Sequence, residues 1–291
     1  MKNKKQMLSY IGLVIVAMIW GSAFAVVKST LDYVPPVYMI ALRFTIAAII
    51  CMCIFPRKFT VNELKHGSLI GLFLFLAYVA QTIGCNYTTA GKNAFLTPLY
   101  IIIVPFIHWI MVKQRPRIKI FIAAIIAMVG IGFISLNGDK GINIGDILTI
   151  ICSFLFAMQI ALVDKYVEHD DPMSLTSMQL ATCAIGGWIL GPVIDGRFPS
   201  EVMNKGQVWF GILFLALLST MLCQVLQTVC QKYTNPEPAS LIMSSEALFG
   251  ALSSMIFLHE VMSVKVIFGC VLMLIANVLS QVEFKKKNKT A

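Results

Sequence analysis

LIMSSEALFGALSSMIFLHE, residues 241–260, decides how the chain is read. Its first eighteen residues are apolar or small with one exception, Glu246. A carboxylate in the middle of a lipid-crossing helix costs about 2.5–3.5 kcal/mol on insertion scales. Such a residue therefore faces a bundle interior or a water-filled cavity, and it marks a functional site. That reading holds only if the stretch lies in a membrane.

Composition answers the point. The 291 residues are 58% hydrophobic and 13% charged, with a mean hydropathy of +0.82. Soluble domains carry about 25% charged residues, so this chain lacks the polar surface to face water. Apolar runs recur at 8–27, 36–55, 69–85, 94–112, 118–136, 144–163, 175–194, 208–229, 239–258 and 264–282. Each is near the ~20 residues that a helix needs to cross a ~30 Å hydrocarbon core. The expected fold is all-α and integral to the membrane, with ten transmembrane helices joined by short connections, the longest near 195–207.

The net charge of +9 is an orientation signal rather than a nucleic-acid footprint. With ten spans, Lys2, Lys4, Lys5, Arg57, Lys58, Lys65, Lys113, Arg115, Arg117 and Lys119 fall on one side. Lys165, Lys232, Lys285, Lys286, Lys287 and Lys289 join them, making 16. Only Lys28, Lys92, Lys140, Arg197, Lys205 and Lys265 fall opposite, and Arg43 lies inside a span. Basic residues near span ends stay cytoplasmic, which predicts a multi-pass inner-membrane protein with both termini inside. The first run, with Ala23-Phe24-Ala25 near its end, resembles a signal peptide. Its length, and the partner it has in the repeat described next, argue for keeping it as a helix. Seven of the eight cysteines fall in apolar runs and Cys230 directly follows one, so they read as packing residues. No metal or cofactor is expected.

Ten spans suggest two halves of five, 1–137 and 138–291. A shift of 136 residues places Trp20 on Phe156, Pro36 on Pro172 and Arg43 on Gln179. From the third span the shift is 146, placing Tyr87-Thr88 on Tyr233-Thr234, Gln81 on Gln227 and Tyr100 on Glu246. An odd number of spans per half inverts the second half. Inverted repeats of this kind build many secondary transporters around a central cavity near the midplane.

Polar residues inside the runs supply the candidate site. Thr220, Gln224, Gln227 and Gln231 follow i, i+4, i+7 and i+11, one stripe of a helix. Tyr78 and Gln81 of the third run, Thr97 and Tyr100 of the fourth, Trp20 of the first and Gln159 of the sixth join them. Buried amides in lipid must find partners, so the stripe either packs helices together or walls an aqueous cavity. Pro98 and Pro105 are expected to bend the fourth span. His108 reads as a proton carrier or a structural residue. Glu246 has three readings: a structural ion pair with Arg43, an anchor for a substrate amine, or a proton-binding group. Small residues around it, Ser240, Ser244, Ala247, Gly250, Ala251 and Ser254, suggest a packing seam.

Several stretches together resemble the drug/metabolite transporter superfamily, in its ten-span form with two EamA-type domains. They are Trp20-Gly21-Ser22-Ala23-Phe24, Ala41-Leu42-Arg43-Phe44, Ala90 through Tyr100, Gly145-Asp146-Ile147-Leu148, Gln224-Val225-Leu226-Gln227-Thr228 and Gln231-Lys232-Tyr233. By position, Trp20, Arg43, Glu246 and Glu260 match residues of the family pattern. The chain departs from it in Glu246-Ala247, where Glu-Pro is usual, and in Lys113-Gln114-Arg115, where Gly-Glu-Arg is common. The resemblance implies export or exchange of small metabolites such as amino acids, amines or drugs by a monomer or homodimer. The sequence holds no GxxxxGK[ST] loop, which leaves a gradient as the driving force. Neither HExxH nor GxSxG is present, which argues against an intramembrane enzyme. A scaffold or assembly subunit is the alternative.

Overall fold

In lipid the backbone must satisfy its own hydrogen bonds, so apolar runs of this length fold as helices. The computed structural model describes residues 2–113, 115, 118–135, 143–234, 239 and 242–281, and no strand occurs among them. The helices are α1 (Lys2–Leu31), α2 (Pro36–Ile54), α3 (Val61–Tyr87) and α4 (Ala90–Leu96). A 3-10 turn, Thr97–Leu99, leads into α5 (Tyr100–Val112), followed by α6 (Ile118–Ser135), α7 (Ile144–Val167) and α8 (Pro172–Ile194). Next, α9 (Gly206–Leu213) runs through a π-helical segment, Phe214–Leu222, into α10 (Cys223–Gln231), and α11 (Glu246–Phe257) and α12 (Val264–Gln281) complete the set. Seven helical stretches are long and apolar enough to cross a membrane; Ile118–Gly130, Ile242–Phe257 and Val264–Ala276 are shorter apolar helices. The chain is a multi-pass membrane protein.

Capping chemistry sets several boundaries that hydropathy misplaces. The third helix begins at Val61 rather than 69 because Thr60 and Glu63 form a reciprocal capping box, satisfying N–H groups that would otherwise be orphaned. Asn143 and Asp146 do the same for α7. Asp171 accepts from the N–H groups of Met173 and Ser174 at the start of α8, with Pro172 in its first turn.

Two expected continuous helices are broken. The fourth run turns 3-10 at Thr97–Leu99, where Pro98 supplies no N–H. The ninth run is interrupted at Ser245, whose hydroxyl donates to the carbonyl of Ile242 at 2.7 Å. A serine bonded to nearby backbone in this way competes with the helix ladder. Glu246 is therefore the first residue of α11, directly after this break in the Ile242–Phe257 stretch. Ser240 of the expected seam and the C-terminal lysines lie outside the described residues.

The main seams pack α3 against α7 and α8, α2 against α8, α6 against α12, and α1 against α11. Glycines permit the closest of these. A Cβ on Gly145 would lie 2.6 Å from the Gly84 carbonyl, and one on Gly21 would lie 2.8 Å from the Gly250 nitrogen. At the end of the bundle holding the α2–α3 and α7–α8 connections, Arg57 pairs with Asp171 at 3.0 Å and His66 with Asp170 at 2.6 Å. At the other end Asp195 accepts from the N–H groups of Val37 and Tyr38 at 2.7 and 2.9 Å. Lys28 donates to the carbonyls of Cys85 and Thr88 at 2.7 and 2.9 Å, closing the C-terminal end of α3, where a cation is favoured.

Candidate functional site

Between the two tied ends lies a central cavity of about 50 Å³. Its wall brings together Trp20, Arg43, Tyr78, Gln81, Thr97, Tyr100, Gln159, Gln224, Gln227 and Glu246, ten of the residues singled out from the sequence. Gln231, one turn beyond Gln227, is buried but does not reach the wall. The side chain of His108 lies outside the described residues. A space of this size admits a few waters, against the several hundred cubic ångströms of a small-molecule site. The cavity as it stands therefore holds water rather than a small molecule.

Arg43 is 2% exposed, yet no carboxylate lies within 4.0 Å of it among the described residues. Its Nε donates to Thr220 Oγ1 at 2.8 Å and a terminal nitrogen donates to Ser219 Oγ at 3.2 Å. The guanidinium also sits 4.9 Å from the Tyr78 ring centre, within cation–π range. Both hydroxyls belong to the π-helical segment, whose wider turn puts consecutive side chains within reach of one guanidinium. π-helical turns cluster at functional sites. The indole of Trp20 donates to the carbonyl of Ser219 at 2.9 Å, tying α1 to the same segment.

Glu246 is 3% exposed and accepts a hydrogen bond from the Tyr100 hydroxyl at 3.0 Å. Its place in the first turn of α11 puts the carboxylate where the helix dipole favours negative charge. Arg43 and Glu246 share the cavity but do not form an ion pair. Aromatic rings fill the wall between them: Tyr78 meets Phe156 edge-on at 5.4 Å, and Phe156 meets Tyr100 at 6.4 Å. Each charge thus keeps its own polar partners.

Amides and hydroxyls make up the rest of the polar wall and the layer packed behind it. Gln81 donates to Thr97 at 3.2 Å, and Asn93 donates to the Gln81 carbonyl and to Thr149 at 3.1 Å each. Gln159 donates to Gln179 at 3.0 Å. By contrast, the carbonyl oxygens of Gln224, Gln227 and Gln231 and the amide nitrogen of Gln179 are buried without a partner among the described residues. Unpartnered buried amides are costly, so the stripe is short of donors that water or a ligand would supply.

Ala23, Phe24, Val27, Phe156, Ile160 and Ser219 also line the cavity and were not selected from the sequence. Apolar residues in apolar runs carry no contrast, although Phe156 was marked by falling on Trp20. Ser219 lies off the stripe at α-helical spacing, and only the π-helical turns bring it round. Glu260 stands apart from the cavity and clamps α4: its carboxylate accepts from the N–H groups of Ala90 and Gly91 at 2.9 and 3.0 Å. Glu260→Ala should cost about 1–2 kcal/mol, the scale of a lost N-cap. Thermal unfolding in detergent reads the loss, with Glu260→Gln intermediate.

The EamA-like transporter family model matches this chain twice, over residues 7–136 and 143–281. An uncharacterized transporter of Archaeoglobus fulgidus is 33% identical over 276 residues, covering 94% of this chain and 86% of the relative. The uncharacterized transporter YoaV of Bacillus subtilis is 21% identical over 272 residues, covering 90% and 92%. One solved crystal structure superposes with a TM-score of 0.67 at 14% identity, covering 92% of this chain and 94% of the other. At that identity the likeness is one of fold.

Proposed function

The chain belongs to the EamA-like transporter family, and we propose that it is a secondary transporter of small metabolites, working by alternating access. It is a membrane transporter rather than an enzyme, with a small-molecule substrate. The substrates proposed are amino acids, amines or drugs, exported or exchanged across the inner membrane by a chain with both termini cytoplasmic.

The observation that carries the mechanism is the make-up of the cavity wall. Trp20 and Phe156, Ala23 and Gln159, and Phe24 and Ile160 all line it, and each pair is related by the shift of 136. Tyr78 and Gln224, Gln81 and Gln227, and Tyr100 and Glu246 line it too, each related by the shift of 146. Helix breaks fall at matching places, since α5 opens on Tyr100 and α11 on Glu246. The seams α2–α8 and α6–α12 join repeat partners, α4–α11 joins the fourth run to the ninth, and α3–α7 has its counterpart in α1–α10. All of this supports ten spans in two inverted halves that rock about a shared site.

Charge separation supports the coupling. A buried carboxylate without a cation is costly, and a proton or a substrate ammonium each relieves it at Glu246. Alternation between the two is an exchange of proton for substrate. A thermal-stabilisation screen across amino acids, amines and nucleobases tests the reading, since a ligand that binds the folded state raises apparent stability. Each hit is then tested for counterflow in sealed vesicles. Absence of both stabilisation and counterflow across the three classes would refute it.

A further inference from the structure

A second hollow lies on the opposite side of α1 from the transport cavity. It measures about 410 Å³, far more than the central one. Ser22, Ala25, Val26 and Ser29 form one wall, and Val208, Gly211 and Phe214 form the other. Phe210 and Phe257 stand at its lips, 72% and 69% exposed. Both belong to apolar membrane helices, so the hollow opens toward lipid. A Cβ on Gly211 would collide with Thr30 Oγ1, and this approach of the α9 backbone to an α1 side chain gives the hollow a floor.

Its dimensions and polarity point to one occupant. From Ser22 to Thr30 the α1 wall rises about 12 Å at 1.5 Å per residue, most of the half of a ~30 Å hydrocarbon core that makes one leaflet. Tyr33, Thr30 and Gln207 make the far end polar. Beyond them the Lys205 ammonium lies 5.0 Å from the centre of the Tyr33 ring. Trp209 donates to the Met203 carbonyl at 2.7 Å, an exposed indole of the kind that sits at headgroup level. An apolar trough, a band of hydroxyl and amide, then a cation: this is the polarity profile of an acyl chain, its ester and its phosphate.

We propose that the hollow between α1 and α9 holds one phospholipid, its acyl chain against Ser22, Ala25 and Ser29 and its phosphate at Lys205. The lipid belongs to the leaflet that meets the 195–207 connection, the outer one in the orientation proposed above. Exposed Asp32, next to Tyr33 in the chain, and exposed Glu201, four residues before Lys205, limit the net positive charge there. The contact is therefore with a single phosphate, not with anionic lipid in general. Because Ala23, Phe24 and Val27 on the other side of α1 line the transport cavity, an acyl chain wedged here braces the wall that must move.

Native mass spectrometry of the full chain in mild detergent tests the assignment, with phosphatidylethanolamine and a diacylglycerol of the same acyl chains as probes. Wild type is expected to retain one phosphatidylethanolamine. Ser22→Phe and Ser29→Phe, which fill the trough, are expected to lose it, whereas Ile125→Phe on the exposed face of α6 keeps it. Lys205→Ala, a surface change that leaves the fold intact, is expected to weaken phosphatidylethanolamine about fivefold, the scale of one basic residue at a membrane surface, and to leave diacylglycerol unchanged. Equal retention by wild type and both filled variants overturns the site. An unaltered preference for phosphatidylethanolamine over diacylglycerol in Lys205→Ala overturns the headgroup contact. Retention is read without any transport, so its failure is distinguishable from failure of the transport reading.

Discussion

Glu246→Gln is expected to reduce gradient-driven flux in proteoliposomes by about a hundredfold or more, which corresponds to about 2.7 kcal/mol in the barrier. The substitution is close to isosteric and keeps an oxygen for the Tyr100 hydroxyl at the same position. Helix α11 and its seam with α1 are therefore expected to survive, with an unchanged unfolding temperature. What disappears is the capacity to bind and release a proton or to balance an ammonium. Tyr100→Phe is the informative companion: it removes a hydrogen bond to a charged group, about 1.5–3 kcal/mol, while leaving the carboxyl in place. Its loss should be smaller and should shift with pH. Wild-type flux from Glu246→Gln under an imposed pH gradient would end the exchange mechanism.

The second large effect is structural. Arg43→Ala should destabilise the protein by about 3 kcal/mol, the scale of truncating a large buried side chain, and lower its thermal midpoint by several degrees. The change empties space at the α2–π-helical contact, strips the donors from Ser219 and Thr220 and removes the cation from the Tyr78 ring. Lysine restores the charge but not the planar fork that reaches two hydroxyls together, so Arg43→Lys should recover only part of the stability. If Arg43 served only as a substrate contact, the midpoint would hold and only the apparent affinity would change. An unchanged midpoint in Arg43→Ala would remove the structural role assigned here.

Legibility in the sequence followed the range of each interaction. Apolar runs marked the membrane helices, since lipid solvation is a property of each segment. The capping residues Thr60, Asn143 and Asp171 act as locally, but hydropathy takes no account of them and placed the start of α3 eight residues late. The cavity's polar members stood out because a glutamine or glutamate in an apolar run has so few tolerable environments. Its apolar members, Phe24 and Ile160 among them, had no such contrast with the lipid-facing residues beside them.

Partner choice was a different matter. Arg43 and Glu246 are the two formal charges deepest in the apolar runs, and attraction alone would join them. The packed bundle instead places Tyr78, Phe156 and Tyr100 in the wall between them. It gives each charge nearer hydroxyls on other helices, Ser219 and Thr220 for one and Tyr100 for the other. The sequence by itself determined a helical membrane protein and most of the polar groups its cavity would hold. Only the tertiary structure decided which groups meet, where α11 begins and why Gln231 misses the wall. Those outcomes turn on ångström-scale helix approach and on a local widening to π-helix, and both depend on contacts between segments far apart along the chain.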